Sequence, residues 1–213
     1  MAGSASSLAA IILAAGRGSR MGAAAGAPTK VLASIAGRPM IDHVVSAALV
    51  AGFAPVIVVL GHAGDSVAAA LRGKDITLVR CPTPDAGMAA SLRAGVDSVP
   101  LGCVGAAVLL GDMPGVTAEH LRRLMAAFEA SSGTAIIAPT CGGRRGNPVL
   151  WPRRLFADLR RVEGDQGGRD ILKRYAGAVV PVPLDDTADG GRGVLRDVDT
   201  AADLAAWRAT ERG

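Results

Sequence analysis

The stretch IILAAGRGSRMGAAAGAPTK, residues 11 to 30, decides how this chain reads. The apolar run Leu8 to Ala14 predicts a buried parallel strand. It stops abruptly in Ala15-Gly16-Arg17-Gly18-Ser19-Arg20-Met21-Gly22, a glycine-rich turn carrying two arginines. Without a Cβ, backbone N–H groups can approach an anion closely. Arginine adds a fixed charge and a planar fork of donors. A strand followed by such a loop is where open α/β sheets hold phosphates. Ala15 to Lys30 contains two arginines, one lysine and no acid, which makes it an anion site by charge alone.

Two common phosphate-loop templates fail on this stretch. A dinucleotide fingerprint, Gly-x-Gly-x-x-Gly, fits Gly16 and Gly18 but meets Met21 at its third glycine. No acid ends the next apolar run, Val56 to Leu60, where a ribose hydroxyl would need one. A Walker loop needs Gly-Lys-Ser/Thr, whereas Lys30 follows Thr29.

Outward from this loop, polar clusters recur at the ends of apolar runs. Gly61-His62 follows Val56 to Leu60. Gly87 opens a helix that carries Ser91. Val104 to Leu110, the most hydrophobic run, ends in Gly111-Asp112-Met113-Pro114. An acid at the end of a central strand lies where an α/β sheet forms its crevice. Pro139 to Leu150 reads as a flexible basic loop with Arg144, Arg145 and Asn147. Glu163 to Arg169 is a polar loop with Asp165. Asp197 and Asp199 alternate on an extended segment and so share one face. Strands alternate with helices throughout, which predicts one domain over residues 1–213. Its class is a three-layer α/β/α fold with a mainly parallel, Rossmann-like sheet.

Composition narrows the function. Half of the 213 residues are hydrophobic and only 3% aromatic, so the core is built from Ala, Val and Leu. The net charge of +4 is spread along the chain, with no basic tail and little aromatic interleaving. That argues against nucleic acid and suits a small polyanion. Cys81, Cys103 and Cys141 show no metal-ligand spacing, which fits reduced thiols in a cytoplasmic protein. MAGSASS lacks the charged start of a signal peptide, and no apolar stretch has the length of a membrane span.

These motifs carry a resemblance. Leu-Ala-Ala-Gly-x-x-x-Arg-Met-Gly from Leu13, with Lys30 beyond, resembles the signature loop of the MobA-like nucleotidyltransferases. It is closest to the molybdenum cofactor cytidylyltransferase (MocA-like) branch, although the spacer Ala23 to Thr29 is longer than usual. Leu109 to Pro114 looks like the family's metal-binding acid. Gly87 to Leu92 resembles a Gly-Met-Ser-Ser-Ser-Leu segment with alanines at two serines. Gly143 to Pro148 resembles a loop that faces the acceptor, and Gly164 to Gly167 a Gly-Asp-x-Gly element. Asp197 to Leu204 resembles an Asp-Ile-Asp-Thr-Pro-Glu-Asp-Leu ending.

The resemblance implies a nucleotide-diphospho-sugar transferase type of fold and a Mg²⁺-dependent transfer of CMP from CTP to the phosphate of molybdopterin, with release of pyrophosphate. It implies catalytic roles for Arg17, Lys30 and Asp112. Nucleotide contacts would come from Leu13, Ala14, Ala15, Gly16, Gly18, Lys30, Gly61 and Ser91. Acceptor contacts would come from Arg144, Arg145, Asn147 and Asp165. Asp112 and Asp199 would hold the metal, with Asp197 the other candidate for the second position. GTP is the alternative donor, used by the sister branch, and a molybdoenzyme is a transient partner. Three alternatives stand beside this reading: nucleotidyl transfer to a different phosphorylated acceptor, a non-catalytic molybdenum cofactor chaperone, and an oxidoreductase of the type linked to nicotine catabolism.

Overall fold

The computed structural model describes residues 7–16, 18, 27–164 and 168–210. The chain enters on β1 (Ser7–Ala14) and passes a 3₁₀ turn at Lys30–Leu32. A small hairpin, β2 (Ser34–Ile35) and β3 (Arg38–Pro39), leads into α1 (Met40–Ala51). Then come β4 (Val56–Leu60), α2 (Gly64–Ala70), β5 (Thr77–Arg80) and α3 (Met88–Asp97). β6 (Cys103–Leu110) and α4 (Ala118–Ala130) follow, then β7 (Ile136–Cys141), β8 (Arg144–Arg145) and β9 (Val149–Pro152). α5 (Phe156–Arg160), α6 (Arg169–Arg174), β10 (Val179–Pro183) and α7 (Ala201–Thr210) complete the order.

The strands form one sheet in the order β10-β7-β9-β6-β1-β4-β5, with β8 paired to β7. β6, β1, β4 and β5 pair in parallel, as do β7 and β10. β9 runs antiparallel between β6 and β7. The mainly parallel three-layer architecture expected from the sequence is therefore present.

Both faces of the sheet are covered, and β1 shows why its run is continuously apolar. Leu8, Ala10, Ile12 and Ala14 pack on one face with Val44 and Val45 of α1 and Leu121 and Leu124 of α4. Ala9 and Ile11 pack on the other face with Leu92 and Val96 of α3 and Phe156 of α5. Ala9, Ala10 and Ala107 have no exposed surface, so small residues do fill the middle of the sheet.

The stretch from Pro139 departs from the expectation of a flexible loop. Its start belongs to β7, Arg144 and Arg145 form the short strand β8, and Val149 to Pro152 insert as β9. All four β9 residues are buried, and burial between two strands overrides the loop character that the neighbouring glycines suggest. Arg153–Leu155 forms a 3₁₀ turn that leads into α5. α4 begins at Ala118, with the Thr117 hydroxyl accepting from the backbone N–H of His120 at 3.2 Å.

Candidate active site

β1 and β6 are neighbours with Leu13 opposite Leu110, so their C-terminal ends lie side by side. Between them opens a crevice of about 540 Å³. Its walls are Leu13 to Gly16, Lys30, the start of α3 with Gly87, Met88 and Ser91, and Asp112. This is the strand-end position where open α/β sheets bind ligands.

Lys30 reaches this crevice despite the long spacer because its backbone is pinned from two sides. The Thr29 hydroxyl, on a buried residue, donates to the Gly16 carbonyl at 3.4 Å. Gly18 has φ +59°, and a Cβ there would come within 2.6 Å of the Lys30 nitrogen. A side chain at Gly18 would thus push away the backbone that carries Lys30. Behind it, Val31 enters the main core.

The Lys30 ammonium bridges two acids, with Nζ 2.6 Å from Asp112 Oδ2 and 2.5 Å from Asp199 Oδ1. The lysine and Asp112 side chains are each 17% exposed and Asp199 is 58% exposed. Burial alone would lower the lysine pKa. The charge and hydrogen bond of Asp112, then those of Asp199, carry it above the ordinary lysine value, so the group stays cationic. Asp112 and Asp199 are far apart in sequence and meet because their segments are joined. The Val198 N–H donates to the Asp112 carbonyl at 2.9 Å. A small cluster of Ala33, Ile35, Met40, Val198 and Leu204 packs the segment after Lys30 against the one around Asp199. Asp203 caps α7, accepting from the N–H groups of Thr200 at 2.8 Å and Asp199 at 3.2 Å, which fixes the backbone of Asp199. Asp197 stands near the same group. Burial first, then the charge of Asp199, raises its carboxyl above the usual range.

The acids suit a hard divalent cation. Asp112 Oδ1 is buried and has no hydrogen-bond partner among the described residues. An orphaned carboxylate oxygen beside a second carboxylate is the donor chemistry that Mg²⁺ takes, together with phosphate oxygens.

The other residues singled out from the sequence fall into distinct places. Leu13, Ala14, Ala15, Gly16 and Ser91 line the crevice. Gly61 packs on the first loop itself, since a Cβ there would come within 2.3 Å of the Ala15 carbonyl oxygen. Asn147 lines a smaller cavity of about 120 Å³ that shares Leu13, Met88 and Leu110 with the crevice. Arg144 and Arg145 are exposed on β8 and line neither cavity. Arg17 and Asp165 lie outside the described residues. Two further residues went unrecognised in the sequence. Arg169 lines the smaller cavity, and Asp85 lines the crevice while accepting from His62 Nε2 at 2.7 Å. Neither stands in a motif of its own, so only the tertiary structure brings them forward.

Known proteins resemble this chain over most of its length. The family model for the MobA-like NTP transferase domain matches residues 10–179. Bifunctional protein GlmU of Sorangium cellulosum is 35% identical over 169 residues, 76% of this chain and 34% of that protein. The GlmU of Nitrosococcus oceani is 39% identical over 197 residues, covering 84% of this chain and 41% of its own length. The chain therefore spans well under half the length of these curated relatives. Among solved structures, Rv0371c of Mycobacterium tuberculosis superposes with a TM-score of 0.81 at 28% identity, covering 97% of this chain and 100% of that one. Rv0371c in complex with manganese gives 0.76 at 27% identity, covering 96% and 99%. A nucleotidyl transferase from Methanothermobacter (Mth528) gives 0.79 at 27% identity, covering 97% and 98%.

Proposed function

We infer the activity from one premise: the chain belongs to the MobA-like NTP transferase domain family. It moves a nucleotidyl group from a nucleoside triphosphate to a phosphorylated acceptor and releases pyrophosphate. In the finer reading the donor is CTP and the acceptor is the phosphate of a molybdopterin-type pterin. The segments Leu13 to Gly22 and Gly143 to Pro148 support that choice by their likeness to the cytidylyltransferase branch. The observation that carries the activity is the single Lys30 ammonium held between Asp112 and Asp199 at one end of the crevice.

Leu13 to Gly16 and Ser91 line the nucleotide, and Arg17 neutralises the leaving pyrophosphate. Asp112 and Asp199 would hold Mg²⁺, which when bound supplies positive charge against the triphosphate. An oxygen of the acceptor phosphate forms the new bond to the α-phosphorus. The α–β anhydride bond breaks, and its electron pair leaves with pyrophosphate. Lys30, cationic in its carboxylate pair, draws the acceptor phosphate in and stabilises the charge that builds on the transferring group. The acceptor phosphate is an anion near neutral pH, so the step needs no strong general base. Positioning and electrostatics then supply most of the rate. Asn147 and Arg169 stand beside the smaller cavity, on the acceptor side of this scheme. Arg144 and Arg145, exposed outside both cavities, and Asp165 are the further acceptor contacts that the resemblance implies.

The test is pyrophosphate release with Mg²⁺ and molybdopterin, run in parallel with CTP, GTP and UTP. Release with CTP above the other two is the expected result. Release with GTP alone would move the chain to the guanylyl branch. Tight pterin binding with no pyrophosphate from any nucleotide would leave the non-catalytic chaperone instead.

A further inference from the structure

His120 is completely buried, and the chemistry above gives it no task. It stands in the first turn of α4, the helix that follows the Asp112 loop. The Thr117 N–H donates to its Nδ1 at 3.2 Å. A nitrogen that accepts carries no proton, so the neutral ring bears its hydrogen on Nε2. Nε2 faces Asp189 Oδ1 at 2.8 Å and the Thr187 hydroxyl at 3.3 Å.

Asp189 is the centre around which its own loop is wound. Its carboxylate also accepts from the Gly191 N–H at 3.0 Å, the Gly193 N–H at 2.9 Å and the Thr187 hydroxyl at 2.9 Å. The imidazole thus ties this loop to α4 from the buried side, while Arg123 of α4 pairs with Asp186 on the surface. Beyond the loop the backbone is packed without slack. A Cβ at Gly193 would lie 1.9 Å from the Gly115 carbonyl oxygen. The Val194 carbonyl accepts from the Asn147 N–H at 2.9 Å, and the Val198 N–H donates to the Asp112 carbonyl at 2.9 Å. These contacts form a continuous run from the His120–Asp189 pair to the segment that carries Asp199.

We propose that His120 and Asp189 are positioning residues for nucleotidyl transfer: their buried imidazole–carboxylate pair sets the segment 187–199 so that Asp199 faces Asp112 across the Lys30 ammonium. The inference rests on the function proposed above, because it treats Asp199 as a cation ligand. A histidine that merely caps α4 would stabilise the helix and leave Asp199 where it is.

The experiment is Mn²⁺ binding, followed by its electron paramagnetic resonance signal, with CTP and GTP in parallel. The chains are wild type, His120→Ala, His120→Gln, Asp189→Ser, and His120→Ala in an Asp199→Ala background. Circular dichroism checks folding. His120→Ala and Asp189→Ser should each weaken Mn²⁺ binding about tenfold. His120→Gln should stay within about threefold of wild type, because glutamine offers both an acceptor toward Thr117 and a donor toward Asp189. In the Asp199→Ala background His120→Ala should add less than about twofold, since the pair acts through Asp199. A folded His120→Ala chain with wild-type Mn²⁺ affinity would overturn the inference. So would an undiminished tenfold loss in the Asp199→Ala background. Failure of both His120→Ala and Asp189→Ser to fold would overturn it as well, because the pair would then hold the whole fold rather than one segment. A wild-type chain that takes up no Mn²⁺ with either nucleotide would sink the functional reading itself, an outcome distinct from the others.

Discussion

Asp42 and Asp112 are both largely buried carboxylates with a lysine at 2.6 Å, yet their surroundings are opposite. Asp42, on α1, faces two cations: Lys74 Nζ at Oδ1, and Arg38 Nε at 2.6 Å from Oδ2. Both cations also donate to the Ser46 hydroxyl, at 2.9 and 3.0 Å. Around Asp112 the ratio is reversed. Lys30 is shared with Asp199, Asp197 stands near, and Asp112 Oδ1 has no partner among the described residues. One cluster leaves neither carboxylate oxygen without a cation and ties α1 to the loop before β5. The other has more acid than base among the described residues, which is the arrangement that a cation-bearing ligand would complete. Buried polar groups in a finished fold are satisfied by protein, water or ligand, so this oxygen is one that a partner from outside the chain completes.

If that contrast is right, the two clusters should fail in different assays. Asp112→Asn should lower pyrophosphate release by about two to three orders of magnitude, the scale of removing one preorganised electrostatic partner. Its urea unfolding midpoint should stay close to wild type. A near-normal rate would place the chemistry elsewhere. Asp42→Ala should do the reverse. It leaves Lys74 and Arg38 without their acid and should cost about 3 kcal/mol of stability, read from the urea midpoint. Turnover per folded molecule should be unchanged, and a turnover loss matching that of Asp112→Asn would erase the distinction between the clusters. Lys30→Ala comes next, with a loss of turnover of more than about tenfold, the share of a single charge acting in the transition state. Wild-type rates there would remove Lys30 from the mechanism.

The sequence revealed the site about as far as local chemistry reaches. The strand of Leu8 to Ala14 with the first residues of its turn, and Asp112 at the end of β6, could be placed because strand, turn and charged residue are contiguous. Asp197 and Asp199 were visible as a pair on one face. Their meeting with Asp112 was not, since it depends on the Val198–Asp112 hydrogen bond and the packing of Val198 against Ile35 and Met40. β9 stayed hidden for a related reason. A four-residue apolar run beside glycines has no period to separate it from a loop, and only its neighbours β6 and β7 make it a strand. His120 was hidden further still, because its partner Asp189 lies 69 residues along the chain. The layered fold survives such gaps, as it follows from the alternation of apolar runs and helical stripes alone.

The smallest expected effect separates the two clusters by pH. Burial would raise the Asp42 carboxyl, but its hydrogen bonds and charges with Lys74 and Arg38 bring it below the ordinary value of 3.8. A carboxyl depressed in the folded state holds fewer protons than in the unfolded chain. Its stabilisation is therefore complete above the unfolded value and disappears as the pH falls through the folded one. Urea midpoints of wild type and Asp42→Asn should accordingly lie furthest apart at mildly acidic and neutral pH. They should converge as the pH drops below 3.8. Asp186, bridged to Arg123 on the surface, offers the control. Its carboxyl is also lowered by that partner, but the pair is open to solvent, so Asp186→Asn should leave the midpoint nearly unmoved across the same range. A gap between wild type and Asp42→Asn that persists undiminished in acid would mean that Asp42 stabilises by packing rather than by its charge, and the contrast with Asp112 would then be one of shape.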